Sequence, residues 1–230
     1  MELGGHSPVM IFKDADIEAA VKHCAAGKFR NAGQVCISPT RFFIEEPVYD
    51  EFIKSFKSHV EAINVGDGLD SKSTMGPLVA DRRLEVMEDF ISDAISSGGE
   101  VISGGGRGQS PGSFFEPTLI RDVPDTAKIM IEEPFGPVAP SASFSSIDEI
   151  IERANSLPFG LASYAFTSNP RTSQILKSEI ESGMLAINSM HIHSVETPFG
   201  GLKHSGYGYE GSIEGLEAFL VTKYSSEIYT

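Results

Sequence analysis

The strict alternation of helical and strand-like segments is the feature that most constrains what this chain can fold into. Between residues 146 and 189, "SIDEIIERANS", "LASYAFTS", "PRTSQILKSEIES" and "GMLAINS" predict a helix, a strand, a helix and a strand in succession. Alternation of this kind is typical of βαβ units. The predicted fold class is therefore α/β, with an open, mostly parallel, twisted sheet and helices on both faces.

The remaining patterns extend this prediction to the whole chain. Apolar residues at helical spacing, with acids at the start or glycines at the end, predict three more helices, at 14–31, 48–63 and 81–98. Extended patterns predict strands at 41–46, 114–123 and 138–144. Residues 217–229 predict a last strand with no helix after it. Such a strand needs a sheet edge to pair with, in this chain or on another subunit.

Composition limits the class of protein. The 230 residues are 40% hydrophobic, which suits one large domain, or one domain with an arm. No apolar run of 18 residues occurs, and the first residues lack the pattern of a signal peptide, so no membrane association is expected. The net charge of −14 argues against nucleic acid as a partner. Two cysteines 12 residues apart make no disulfide framework, so we expect a cytoplasmic protein.

One of the two cysteines occupies an unusual place. Cys24 falls on the apolar face of a predicted helix, where a small buried side chain is the simplest interpretation. Cys36 follows that helix, after Gly33, which allows a close backbone approach, and before Pro39, which stiffens the exit. On the residues alone, a nucleophile and a structural cysteine are both open for Cys36.

Two other patterns suggest ligands but lack the right context. "GYGYEG", at 206–211, matches the G-x-G-x-x-G dinucleotide motif. However, too few residues follow it for the βαβ unit in which that motif works, so tight turns are expected there. His191 and His193 lie two residues apart, but no third ligand is near them in sequence. No metal site is predicted.

Four motifs in order along the chain carry a family resemblance. They are "MELGGHSP", "FRNAGQVC", "EEPFGP" and "TPFGGLKHSGYGYEG". Together they resemble the aldehyde dehydrogenase superfamily. Phrases such as "KFRNAGQ" and "SVETPFGGLKHSG" are similar to its succinate-semialdehyde dehydrogenase branch. The resemblance covers the whole chain and implies oxidation of an aldehyde with NAD or NADP as cofactor.

The resemblance implies roles for individual residues. Cys36 resembles the nucleophile that forms a thiohemiacetal and then a thioester. Glu2 resembles the general base, and Glu210 resembles an acid near the proton path. Glu133 and Phe135 resemble the residues that hold the nicotinamide ribose and pack beside the ring.

Substrate residues also follow from the resemblance. Arg30 and Ser194 hold the places from which the semialdehyde branch binds the substrate's distal carboxylate. Phe199 sits where the family lines its substrate tunnel. His191 and His193 depart from the branch pattern, so an acidic aldehyde other than succinic semialdehyde stays open.

The resemblance also implies an incomplete unit. In the family, the cofactor domain precedes the "ELGG" motif, so we expect the catalytic half, feeble alone. Residues 1–207 would form the catalytic domain, and 208–230 a C-terminal segment with an oligomerisation strand, which predicts a homo-oligomer. Two alternatives remain. One is a non-catalytic fragment that only assembles with partner chains, and the other is a thiol hydrolase that pairs Cys36 with a histidine.

Overall fold

The computed structural model describes all 230 residues. It contains nine strands, which are β1 Ser7–Ile11, β2 Pro39–Glu45, β3 Glu100–Ser103, β4 Thr118–Arg121, β5 Val138–Phe144, β6 Phe159–Gly160, β7 Ala162–Phe166, β8 Met184–Ile187 and β9 Leu202–Lys203. The α-helices are α1 Ile17–Phe29, α2 Tyr49–Glu61, α3 Arg82–Ser96, α4 Lys128–Ile131, α5 Ile147–Asn155, α6 Pro170–Glu179 and α7 Ser212–Glu217. No helix combines the length and the apolar character that a membrane crossing requires.

The main sheet confirms the predicted α/β class. Seven strands lie in the order β3-β4-β5-β2-β1-β7-β8, and only the β3–β4 pair is antiparallel. The chain moves one way along the sheet from β1 through α1 to β2, and the other way from β5 through α5 to β7. Because such crossovers are right-handed, the two helix groups cover opposite faces. A small antiparallel pair, β6 and β9, stands apart.

The central strands are buried on both faces. All five residues of β1 and all seven of β2 are buried. A strand covered by helices on both sides has no solvent face, so its sequence lacks the alternation that marks a half-exposed strand. This explains why "SPVMI" carried no strand signal in the sequence analysis although β1 lies in the middle of the sheet.

The predicted strand at 217–229 is not formed within the single chain, and its pairing with another subunit stays a prediction. Helix α7 ends at Glu217, and the residues after it form no regular structure. An isolated strand leaves its backbone groups without partners, and no neighbouring edge of this chain pairs with the segment. By contrast, the expectation of tight turns at 206–211 is confirmed, because all three glycines of "GYGYEG" have positive φ angles.

Three loops meet at one edge of the sheet. They contain Glu2, Cys36 and Glu133, and they immediately precede β1, β2 and β5. These three strands are neighbours and run parallel, so their amino ends lie together. Many α/β proteins bind ligands at the carboxyl ends of their strands. Here the reactive side chains of Glu2, Cys36 and Glu133 lie at the amino ends of the strands, which is the opposite edge of the sheet.

The buried guanidinium of Arg41 connects strand β2 to the end of α5 and to the segment before β1. Arg41 on β2 donates hydrogen bonds to the carbonyls of Arg153 (3.0 Å) and Ala154 (2.9 Å), at the end of α5. It also donates to the carbonyl of His6 (3.2 Å), beside β1. Burial lowers the pKa of Arg41 to about 10. The side chain thus caps a helix end and links it to the strand that follows Glu2.

Replacement of Arg41 by methionine should destabilise the fold. Arg41→Met removes a charged donor from three carbonyls, of which that of Arg153 keeps the Ser156 hydroxyl (2.8 Å) as a donor, so we expect the free energy of unfolding to fall by about 2–4 kcal/mol. Urea unfolding monitored by circular dichroism measures this. The matched control is Arg171→Met on α6, which removes an exposed guanidinium. An equal loss in the two variants would contradict the bracing role.

Candidate active site

The turn that carries Cys36 begins where α1 ends. Asn31 and Ala32 both adopt left-handed backbone angles, with φ of 52° and 53°. Gly33 follows with φ of 73°, and a Cβ there would collide with the carbonyl oxygen of Gly136. The predicted close approach at Gly33 is confirmed. Only glycine allows the cysteine turn to contact the loop after Glu133 in this way.

The same turn is tied to a second loop by Gln34. Its Nε2 donates to the carbonyl of Pro77 (3.3 Å), and its Oε1 accepts from the backbone N–H of Val79 (2.9 Å). A side chain that both donates and accepts fixes its position and that of its own backbone. The backbone position of Cys36, two residues later, is therefore also restricted.

The structure brings the thiol of Cys36 and the carboxylate of Glu2 together. Cys36 is half-buried, whereas Cys24 is buried, as predicted. Burial and the adjoining negative charge of Glu2 raise the pKa of Cys36 to about 11, against the opposing effect of two backbone N–H groups. Glu2 Oε1 is itself buried and has no hydrogen-bond partner. A protonated thiol thus faces a carboxylate with a free acceptor atom.

Glu133 adds a second carboxylate to the cluster, against the "ELGG" segment that carries Glu2. Its Oε1 accepts from the backbone N–H of Gly5 (3.2 Å), and Gly4 lies so close that a Cβ there would sit 2.6 Å from Oε2. Burial and the nearby Glu2 raise the pKa of Glu133, while the Gly5 N–H, Lys28 and Arg83 oppose the rise. The "ELGG" glycines therefore leave space for this carboxylate.

Phe135 stands at the rim of the same cluster. Its side chain is 38% exposed, which is unusual for a large aromatic residue. Its backbone φ of 43° lies in the left-handed region, which residues other than glycine seldom adopt. Non-glycine residues in this region concentrate at functional sites. The ring is thus available to a ligand beside Glu133.

Arg30 borders a cavity of about 210 Å³ next to the thiol. The residues on either side of Cys36, Val35 and Ile37, also line this cavity. Tyr164 forms another wall and donates a hydrogen bond from its hydroxyl to the carbonyl of Ile37 (2.6 Å). Arg30 therefore makes one part of the cavity cationic, and another part adjoins the turn that carries Cys36. A larger cavity, about 780 Å³, is lined by residues from 60–65 and from 103–117. None of the predicted site residues lines it.

The remaining predicted residues lie on two paired segments. Phe199 and Glu210 exchange backbone hydrogen bonds of 2.8 and 2.7 Å. The ring of His193 meets Phe199 edge-on at 5.9 Å. Ser194 donates its backbone N–H to the hydroxyl of Thr197 (2.8 Å) and does not line the Arg30 cavity. The Glu210 side chain is exposed and makes no hydrogen bond or ion pair.

No histidine acts on the thiol. The groups that influence Cys36 are Glu2 and backbone N–H groups. His6 is buried, and its Nδ1 is hydrogen-bonded to the hydroxyl of Thr40 (2.7 Å). A Cys–His pair is therefore not formed, and the hydrolase alternative lacks its required partner. The chain also contains no cluster of three or more His, Cys, Asp or Glu side chains that could hold a metal.

Lys28 is a site residue that the sequence analysis missed. It is fully buried on α1, and its Nζ has no hydrogen-bond partner. Burial lowers its pKa to about 7, and the nearby charge of Glu133 opposes this effect. A signal was present in the sequence, because Lys28 continues the apolar face of Val21 and Cys24. A lysine on the buried face of a helix is rare without a role.

Removal of the Lys28 amine should stabilise the fold in a pH-dependent way. Unfolded Lys28 stays protonated up to about pH 10.5, whereas the folded form loses its proton near pH 7. The native protein therefore gains stability as the pH rises between these values. Lys28→Met should unfold with a free energy about 1–4 kcal/mol higher at pH 6, and the advantage should shrink towards pH 10.

Denaturant unfolding at several pH values tests this expectation. Lys22→Met on the same helix is the matched control, because Lys22 is exposed. An advantage of Lys28→Met that does not change with pH would contradict the assigned burial of the amine.

Comparisons with known proteins identify relatives of this chain. A 4-(hydroxymethyl)benzenesulfonate dehydrogenase of Comamonas testosteroni is 43% identical over 97% of this chain, which covers 46% of that protein. A succinate-semialdehyde dehydrogenase [NADP(+)] of Escherichia coli is 40% identical over 97% of this chain and is also covered to 46%. The chain thus spans about half the length of the curated relatives it matches.

A solved structure and a family model also match this chain. The crystal structure of succinate-semialdehyde dehydrogenase from Burkholderia pseudomallei superposes with a TM-score of 0.94 at 39% identity, over 96% of this chain and 46% of that one. The model of the aldehyde dehydrogenase family matches residues 1–225, nearly the whole chain. The chain therefore belongs to the aldehyde dehydrogenase family.

Proposed function

We propose that this chain provides the catalytic centre for NAD(P)-dependent oxidation of an aldehyde to a carboxylic acid. The observation that carries the proposal is the pairing of the half-buried Cys36 thiol with the unpartnered Oε1 of Glu2. A protonated thiol needs a base within reach before it can attack a carbonyl, and Glu2 is that base here.

The chain's residues would act in two stages. In the first, Glu2 takes the thiol proton as the Cys36 sulfur bonds to the aldehyde carbon, which gives a thiohemiacetal. A nicotinamide held by Glu133 and Phe135 would supply the oxidant for the hydride that this carbon loses, which would leave a thioester on Cys36. In the second stage, Glu2 first loses the thiol proton to solvent and then takes a proton from water as the water oxygen attacks the thioester carbon. The carbon–sulfur bond breaks, the acid leaves, and Glu2 returns its proton to the Cys36 sulfur. The backbone N–H groups that act on Cys36 would stabilise the oxyanion.

Glu133 and Phe135 fit a nicotinamide riboside. Glu133 uses one carboxylate oxygen for the Gly5 N–H, and the other accepts no hydrogen bond from the protein. A carboxylate with a free oxygen suits a ribose hydroxyl, and the exposed Phe135 ring offers a flat apolar surface beside it. These two residues would hold the nicotinamide end of NAD or NADP. The Escherichia coli relative is named for NADP(+), which supports NADP as a cofactor.

The substrate we propose is a small aldehyde with a distal anionic group. Arg30 places a guanidinium in the cavity of about 210 Å³ that adjoins Cys36, and a guanidinium binds carboxylate or sulfonate oxygens in pairs. The names of the relatives fit this class, since one contains a sulfonate and the other a carboxylate. Phe199 and Ser194 would shape the opening, and Glu210 would lie on the route by which protons leave.

A second candidate function is assembly without catalysis. The chain spans about half of its relatives, so a partner chain could supply the other half. The C-terminal segment beyond α7 exposes Phe219, Val221, Tyr224 and Ile228, each by more than 80%. Exposed apolar residues of this density suit a protein interface, which also supports a homo-oligomer.

Alkylation of Cys36 by iodoacetamide should test the pairing with Glu2. Only the thiolate reacts, so the rate should rise about tenfold per pH unit until the pH approaches 11. Glu2→Gln removes the negative charge that raises this pKa, so alkylation at pH 8 should become about tenfold faster. Mass spectrometry of the modified peptide gives the rate, and Cys36→Ser supplies the blank. Slower alkylation in Glu2→Gln would contradict the assigned electrostatics.

Calorimetric titration with NAD and NADP, followed by aldehyde turnover, tests the function itself. Glu2→Gln should lose turnover although its thiol is more reactive. Arg30→Met should raise KM for succinic semialdehyde by about tenfold, since it removes a hydrogen bond to a charged group, and should leave KM for butanal unchanged. Turnover that survives Cys36→Ser would refute the proposal. Absence of cofactor binding would favour the assembly function.

A further inference from the structure

Arg83 makes contacts that the proposed chemistry does not explain. It lies in the first turn of α3, half-exposed at the edge of the site. Its Nη2 donates to the carbonyl oxygen of Pro134 at 2.5 Å and lies 3.4 Å from the carbonyl oxygen of Phe135. Both carbonyls belong to the segment 133–136, which we call the carboxylate loop.

The carboxylate loop has a conformation that needs support. Phe135 has φ of 43°, which is unfavourable for a bulky side chain. On its inner side, the carbonyl of Gly136 packs against Gly33 of the cysteine turn, and Gly136 has no room for a side chain against Met87. On its outer side, Arg83 makes the only hydrogen bonds to the carbonyls of Pro134 and Phe135. A left-handed residue persists only where its surroundings hold it.

We propose that Arg83 is a positioning residue that holds the carboxylate loop in its left-handed turn and thereby places Glu133 and Phe135 at the thiol. The inference rests on the proposed function for the importance of those two residues, but the positioning itself is a property of the free chain. The guanidinium suits the task because its donors are fixed in a plane and can serve two adjacent carbonyls. A lysine ammonium lacks that fixed geometry.

The charge of Arg83 supports the same placement. Glu133 lies close enough for the guanidinium to oppose the rise in its pKa that burial and Glu2 cause. Arg83 therefore acts on the loop in two ways, by donating to its carbonyls and by attracting its carboxylate. Arg82, the preceding residue, is more exposed and makes no hydrogen bond to the loop.

The first test uses the ligand-free chain. The backbone N–H of Gly5 donates to Glu133 Oε1, so its hydrogen exchange reports whether Glu133 is in place. In Arg83→Gln, we expect exchange at Gly5 to become roughly tenfold faster, with the rest of the chain unchanged. Arg83→Lys should give an intermediate rate. The matched control Arg82→Gln, which alters the adjacent residue, should leave the exchange at wild-type rates.

The second measurement separates this inference from the proposed function. Where Glu133→Gln weakens NAD or NADP binding, Arg83→Gln should weaken it by about the same factor, roughly tenfold, with no change in melting temperature. Faster exchange in Arg83→Gln, with cofactor binding insensitive to Glu133→Gln, would support the positioning and reject the role of Glu133. Unchanged exchange at Gly5 in Arg83→Gln would overturn the inference, and so would faster exchange that spreads evenly over the whole chain.

Discussion

The site depends on one close contact, between Gly33 in the cysteine turn and the carbonyl of Gly136 in the carboxylate loop. This contact lets the loop before β2 and the loop before β5 meet without an intervening side chain. The "ELGG" segment before β1 then fills the remaining side, where Gly4 and Gly5 lie against Glu133 and Cys36. Four glycines thus bring a thiol and two carboxylates to the amino edge of the sheet. Any side chain at Gly33 would separate them.

The electrostatics of the cluster follow from that crowding. Burial and the negative charge of Glu2 disfavour the Cys36 thiolate, so the resting site holds a protonated sulfur and a base. Two cations, Lys28 beneath the loop and Arg83 outside it, offset the negative charge of Glu133. The buried Lys28 costs stability, and such costs are typical of functional sites rather than of cores. A thiol that stays protonated at rest is consistent with a nucleophile that is activated only when its substrate arrives.

The sequence predicted much of the fold because local patterns determine it. Alternating helices and strands gave the α/β class, and Gly33 indicated the close approach that the structure contains. Three features were beyond such patterns. Strand β1 is covered on both faces and shows no alternation, and the segment 217–229 has strand-like residues but no edge in this chain to pair with. Arg83 acts through backbone carbonyls 51 and 52 residues away, a contact that no short-range pattern shows.

The central claim is that Cys36 attacks an aldehyde with Glu2 as its base, and one measurement tests it without any cofactor. The chain is mixed with succinic semialdehyde that carries 13C at the aldehyde carbon, and the carbon spectrum is recorded. Our account predicts a thiohemiacetal signal that is absent from Cys36→Ser and retained in Cys24→Ser. The same signal in Cys36→Ser, or none in the native chain while its thiol remains free to alkylate, would contradict it.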